Sequence, residues 1–217
     1  FSGDKRGWAE GGADVWLHRH AAPQSHASGA AALAAHAPFR PRRRCATQLL
    51  ALASEQPVAR YPFLDAPQAH NAAWDIVSTH ELTSDVPLLL GLTPALAGRL
   101  REPPAPSLAA KRARRERGDA VMAVVLHDCG GGRADLVRQL VRYGVTVDSY
   151  GKCLHNKDFP GGGDVHERTL ARYKFLLVLE PFAAEDYVSE SFYRALALGV
   201  VPVYLGAPNA AQRFAPG

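Results

Sequence analysis

From residue 120 onward the chain alternates strand-length and helix-length segments, and that alternation limits the folds open to it. AVMAVVL (120–126) is a continuous apolar run, ADLVRQLVRYG (134–144) sets Leu136, Val137, Leu140 and Val141 on one helical face, and VTVDSYG (145–151) reads as a second strand. A helical VHERTLARY follows, then the apolar KFLLVL, and then a helix feeding VVPVYLG. Strands that are apolar throughout are covered on both faces, so the pattern predicts a parallel sheet between helical layers. In such sheets ligands sit beyond the carboxyl ends of the strands.

The first hundred residues are Ala- and Pro-rich and less regular. ADVWLHRH (13–20), VARYPFLDAP (58–67) and AWDIVSTHEL (73–82) read as strands, and ATQLLALASEQ (46–56) as a helix. PQSHASGAAALAAHAP (23–38) is low in complexity and fits a surface loop or an Ala-rich helix. REPPAPSLAAKRARRERG (101–118) has the Pro and charge content of a linker or a solvated helix. The expected organisation is therefore two α/β units, residues 1–100 and 119–217, joined by 101–118. With 217 residues and 47% apolar composition, the chain is long enough to bury a core in each.

The net charge of +4 is concentrated in RPRRRC (40–45) and KRARRERG (111–118). No aromatic interleaving accompanies either run, so solvated loop and linker faces are favoured over nucleic-acid binding. His18, His20, His26 and His36 lack metal-ligand spacing, and no metal site is expected. Cys45, Cys129 and Cys153 are too few for a disulfide framework; Cys129 and Cys153 are left as either a pair or buried thiols. No apolar run reaches the roughly 18 residues of a membrane span. Opening at Phe1 and ending at RFAPG, the chain reads as a fragment of a longer protein.

Two places at the predicted carboxyl edge carry chemistry. After AVMAVVL, the CGGGR turn leads into a helix, whose free N–H groups and positive dipole end suit an anion, and Arg133 adds a planar donor fork. The plainer reading is a flexible turn with a solvated arginine. After KFLLVL, Glu180 ends the strand and EDYVSE delivers Tyr187 and Glu190 three residues apart, a spacing that shares one helical face. A ring and a carboxylate in one crevice suit a sugar hydroxyl and a nucleoside. The alternative is a capping box that only stabilises the helix.

These motifs together resemble glycosyltransferase family 10, the α-1,3/α-1,4-fucosyltransferases, in its plant and algal branch. The resemblance is carried by YKFLLVLE, DYVSESFYRALALGVVPVYLGAPN, VDSYGKCLHN (147–156), VVLHDCGGGRADLVRQL, WDIVSTHELTSDVP (74–87) and FLDAPQAH, in the family's order. It implies a GT-B fold, two Rossmann-like domains with parallel sheets, with an acceptor-side N-terminal domain and an incomplete C-terminal domain for GDP-fucose. Arg133, Tyr187 and Glu190 fall on donor-contacting positions, with Glu180 and Lys174 in the same signature, and Asp65 falls on the general base. The implied reaction is inverting transfer of fucose to a glycan or glycoprotein acceptor such as N-acetylglucosamine, without a bound metal or other cofactor. The implied location is the Golgi lumen, with a membrane anchor elsewhere in the parent protein.

Three positions depart from the family pattern: Ser191 stands where Lys is usual, Asp65 where Glu is usual, and Pro181 where Asn is usual. They motivate a second reading, a donor-binding relative with weakened or lost transfer. A third, a basic nucleic-acid-binding α/β protein, follows from the charge runs alone.

Overall fold

The computed structural model describes residues 15–19, 47–55, 57, 74–103, 106–161 and 163–214. The chain divides into two compact units, Phe1–Leu88 and Leu89–Gly217.

In the first unit β1 (Val15–Arg19), β2 (Leu49–Ala53) and β3 (Ile76–Ser78) form a parallel sheet in that order. The strands expected at 13–20 and 73–82 are present there, the latter shortened. The helix expected at 46–56 is instead the central strand β2. Its register, Val15↔Leu49 on one side and Ala51↔Ile76 on the other, pairs the backbone along both edges. Leu50, Ala51 and Leu52 are buried. Those paired, buried positions outweigh the helix propensity of Leu and Ala. The Asp85 carboxylate accepts the Val77 N–H at 2.8 Å, closing the short β3 from the TSDVP segment. Segments 23–38 and 58–67 lie outside the described residues.

The second unit contains α1 (Pro94–Arg99), α2 (Leu108–Glu116), β4 (Met122–Val125), α3 (Arg133–Arg142) and β5 (Val147–Tyr150). It continues with α4 (Gly163–Leu170), β6 (Phe175–Leu179), α5 (Glu190–Ala197), β7 (Val201–Leu205) and α6 (Ala210–Arg213). Its sheet is parallel throughout, in the order β5-β4-β6-β7. Successive side chains along each strand point to opposite faces. Ala123, Leu176 and Val178 pack with Phe192, Tyr193 and Ala195 of α5 on one face. Met122, Val124, Leu177 and Leu179 pack with Ala134 and Val137 of α3 on the other.

The segment expected to be a linker, 101–118, belongs to this unit and is largely helical. Lys111 on α2 is only 3% exposed and its Nζ donates to Gly199 O at 2.5 Å, so burial lowers its pKa. The Arg114 guanidinium lies 5.9 Å from the centroid of the Tyr173 ring. Long basic side chains cover apolar surface with their stems, and here Lys111 and Arg114 are packed while Arg112 and Arg117 of the same run stay exposed.

At the exit of β5, Gly151 has φ +95° and a Cβ placed there would lie 2.4 Å from Leu126 O. The close approach lets Cys153 N–H reach the same carbonyl at 2.9 Å. A side chain at 151 meets both backbone strain and steric conflict. Gly151→Ala is therefore expected to destabilise the unit by about 2–3 kcal/mol. Urea denaturation checks this, the expected result being a lowered midpoint with an unchanged slope.

Candidate functional site

The strand order places β5 on one side of β4 and β6 on the other, so the crossover direction reverses between β4 and β6. The turns leaving those two strands flank the switch point of the sheet, where parallel α/β sheets take their ligands.

The turn after β4 runs from His127 to Gly132. Gly131 and Gly132 both adopt left-handed backbone, φ +66° and +74°, and Gly132 caps α3 without any side-chain hydrogen bond to the helix. Arg133, the first residue of α3, folds back over this turn. Its Nε donates to Gly130 O at 3.1 Å and its Nη2 to Asp128 Oδ2 at 2.8 Å. Asp128 Oδ1 in turn accepts the Gly130 N–H at 3.0 Å. The turn is tied to the β5 exit by a disulfide between Cys129 and the buried Cys153, with Cα atoms 5.4 Å apart. The choice left open by the sequence, pair or buried thiols, is thus settled as a pair.

The turn after β6 is built around a buried acid. Glu180 is 8% exposed, and its Oε1 accepts the Ser189 N–H at 2.8 Å, at the N-cap of α5. Burial raises its pKa, while the Ser189 backbone and hydroxyl and the Arg133 charge act in the opposite direction. A carboxylate at a helix start also meets the positive end of the helix dipole.

Asp186 has φ +59° and is locked by Asn209: the Asp186 N–H donates to Asn209 Oδ1 at 3.0 Å, and Asn209 Nδ2 donates to Asp186 Oδ1 at 2.8 Å. Tyr204 completes the turn, its hydroxyl donating to Tyr187 O at 3.1 Å and accepting the Ala207 N–H at 2.9 Å. Burial raises the Tyr204 pKa and keeps this hydroxyl protonated. Gly206 is required beside it, because a Cβ there would fall 2.4 Å from Glu180 Cγ and from the Tyr204 hydroxyl.

This geometry corrects one expectation and relocates another. Tyr187 and Glu190 do not share a helical face: the left-handed Asp186 and the extended Ser189 place Tyr187 before the helix, and only Glu190 lies within α5. The Tyr187 ring is buried edge-on to Phe182, centroids 6.2 Å apart. The Glu190 carboxylate is half exposed and accepts from Arg194 Nη2 at 2.5 Å, one helical turn on. The capping-box alternative also fails in detail, since Ser189 makes no side-chain cap and Glu180 supplies the carboxylate.

Lys174 sits at the start of β6 with Asp119, Gly144 and Thr146 around a cavity of about 530 Å³. At about 3.3 Å per residue it lies roughly 20 Å along the strand from Glu180, at the amino edge of the sheet. Asp65 lies outside the described residues. The turns carrying Arg133 and Glu180 approach each other, a Cβ on Gly131 lying 4.0 Å from Pro181 O, whereas three cavities of about 300 to 530 Å³ elsewhere in the unit are lined by none of Arg133, Tyr187 and Glu190.

Sequence reading missed Asp128, Asn209 and Tyr204. Asn209 carried a signal, standing in GAPN directly after a strand, where an Asn side chain commonly hydrogen-bonds nearby backbone. The DSYG segment proves to be scaffold. The Asp148 carboxylate accepts from the Tyr173 hydroxyl at 2.5 Å and Lys157 Nζ at 2.6 Å, and Asn156 bridges Ser149 N–H and Val147 O.

Residues 115–217 match the family described as glycosyltransferase family 10 (fucosyltransferase) C-term. This second unit belongs to glycosyltransferase family 10. The chain is 43% identical over 100 residues to GDP-fucose protein O-fucosyltransferase 3 of Xenopus tropicalis, covering 42% of this chain and 21% of that one. The human protein of the same name is also 43% identical over 100 residues, with the same coverage. A putative fucosyltransferase-like protein of Arabidopsis thaliana is 37% identical over 158 residues, covering 72% of this chain and 28% of that one. The chain therefore spans 21% to 28% of the length of these relatives. Among solved structures, an alpha1,3-fucosyltransferase with GDP-fucose superposes with a TM-score of 0.54 at 13% identity, over 83% of this chain and 57% of that one. The same enzyme type with GDP gives 0.53. The fold is GT-B, as the parallel sheets of the two units also indicate.

In this family 10 unit the Glu180 carboxylate has a pH signature. Its pKa is raised on folding, so the folded state holds the proton more tightly than the unfolded chain. Stability therefore falls as pH rises from the ordinary 4.5 through the raised value. Glu180→Gln keeps an acceptor for Ser189 N–H and removes the charge, and it is expected to flatten that slope. Denaturation at pH 5 and pH 7 checks this: the wild type should lose stability between the two pH values relative to the variant.

Proposed function

We propose that the protein of which this chain is part transfers fucose from GDP-fucose to an acceptor hydroxyl with inversion at the anomeric carbon. The observation that carries the reading is the carboxyl edge at the switch point of a family 10 unit, where the glycine turn before Arg133 approaches the Glu180 turn, a Cβ on Gly131 lying 4.0 Å from Pro181 O. In this reading the diphosphate meets the N-terminus of α3 and the Arg133 guanidinium, with donors suited to phosphate. Tyr187 and Glu190 serve the nucleoside and sugar side, which requires the Glu190 carboxylate to exchange its Arg194 partner for a hydroxyl.

The chemistry then balances as a single displacement. The acceptor oxygen attacks C1 of fucose, its proton passes to a carboxylate assigned to Asp65 by resemblance, and GDP leaves with the electron pair of the C1–O bond. Positive charge and N–H dipoles at the diphosphate stabilise the leaving group. The acceptor is a hydroxyl of a glycan such as N-acetylglucosamine or, as the names of the animal relatives say of them, of a protein. The linkage, α-1,3 or α-1,4, follows from the acceptor.

A lumenal location in the Golgi is part of this proposal, and the Cys129–Cys153 disulfide supports it, because such bonds persist in oxidising compartments. No helix among the described residues is long and apolar enough to cross a membrane. The second reading, a relative that binds the donor but transfers it poorly, rests on Ser191 at the start of α5, on Asp65 in place of the usual Glu, and on Pro181, which has no backbone N–H to offer beside Glu180.

Thermal unfolding of the intact protein with nucleotide sugars, together with a transfer assay using GDP-fucose, separates these readings. GDP-fucose at 100 times its Kd should stabilise by about 2.7 kcal/mol, with GDP-mannose and UDP-sugars giving less. Arg133→Ala should weaken GDP binding about ten- to a hundredfold. Binding without transfer, unrestored by Ser191→Lys, selects the second reading; no shift with any nucleotide rejects both.

A further inference from the structure

The glycine turn already holds an anion of its own. Asp128 Oδ1 accepts the Gly130 N–H at 3.0 Å and Oδ2 accepts from Arg133 Nη2 at 2.8 Å. A Cβ on Gly130 would lie 3.3 Å from that same Oδ2, so the carboxylate rests directly over the glycine backbone. One backbone N–H and one guanidinium N–H converging on two oxygens is the donor arrangement a phosphate group takes.

We propose that the Asp128 carboxylate is an internal competitor for the diphosphate, occupying Arg133 in the empty turn and setting the affinity for the phosphate-bearing part of the donor and product. The inference rests on the reading that this turn receives a nucleoside diphosphate. The two acids near Arg133 differ in their freedom to yield. Glu180 is buried and holds the N-cap of α5, whereas the Asp128 side chain is 67% exposed. The Arg133 side chain is only 13% exposed, so the guanidinium stays in place while the carboxylate swings into water. Each binding event then exchanges one charge-assisted pair for another, and GDP is held less tightly than Arg133 alone would hold it. A product that leaves readily is the functional consequence.

The test uses the intact protein with Asp128→Asn, which keeps the acceptor for Gly130 N–H and removes the charge, and with Asp128→Ser as a second variant. Calorimetry with GDP, inorganic pyrophosphate and guanosine is the measurement. Both variants should bind GDP and pyrophosphate about five- to tenfold more tightly, with guanosine unchanged. Equal or weaker phosphate binding in either variant overturns the proposal, as does an equal gain for guanosine, which indicates a general loosening of the turn. If pyrophosphate gains while GDP binds no form of the protein, the nucleotide reading falls and the role of Asp128 stands. If GDP binds the wild type and neither phosphate ligand gains, Asp128 is not a competitor and the nucleotide reading survives.

Discussion

A carboxylate buried at the end of a central strand dictates how this unit shapes its carboxyl edge. Taking Glu180 out of water is costly unless its oxygens are paired, and the partner it finds is the backbone N–H of Ser189, the N-cap of α5. Strand β6 and helix α5 are thereby joined by a charge-assisted hydrogen bond as well as by chain. The neighbouring residues follow from that constraint. Gly206 is small because Glu180 Cγ passes where a side chain would be, and Tyr204 bridges Tyr187 O to Ala207 N–H over the same spot. Asn209 then fixes the left-handed Asp186, so the turn is held from three directions: β6, β7 and α6.

The opposite lip of the switch point is held by other means. Its glycines bring the backbone close, and the strain of two left-handed residues is accepted where no side chain is present. Rigidity comes from outside the turn, through the Cys129–Cys153 disulfide to the β5 exit and through Gly151, which lets that exit approach Leu126 O. One lip is therefore a hydrogen-bonded cage around a buried acid, and the other a bare turn stapled at its base. In the proposed reading, a site assembled this way keeps its nucleoside side fixed while its phosphate side stays open to exchange.

Much of the second unit was legible because its strands are apolar throughout, and a run such as KFLLVL fits few roles other than a strand covered on both faces. The first unit was less so. LLALA favours a helix by local propensity, and only pairing with β1 and β3, which no local pattern encodes, makes it a strand. The 101–118 segment misled for a related reason: Lys111 and Arg114 look solvated as letters, yet their stems and heads are used by Gly199 O and the Tyr173 ring. At the site itself the spacing of Tyr187 and Glu190 was read as helical, and one positive φ at Asp186 broke the periodicity. Lys174 was grouped with Glu180 by motif alone, although a strand separates its two ends.

The charges of the carboxyl edge bear on how it can recognise an anion at all. Arg133 faces Asp128 directly and Glu180 at longer range, and Arg194 is engaged by Glu190 and by the more distant Glu167. Ser191 stands where a further cation would add to the balance. The two arginines named here meet four acids, so net charge does not draw an anion to this lip. What remains is directional: the N–H groups of the first turn of α3, left without a side-chain cap at Gly132, and a guanidinium whose orientation is already set. Oriented donors discriminate by the shape of the anion more than by its charge. In the proposed reading, a diphosphate carried on a nucleoside meets such donors while its base and ribose are held on the opposite lip. The excess of acids that weakens the edge as a trap for anions then favours the whole nucleotide over its fragments.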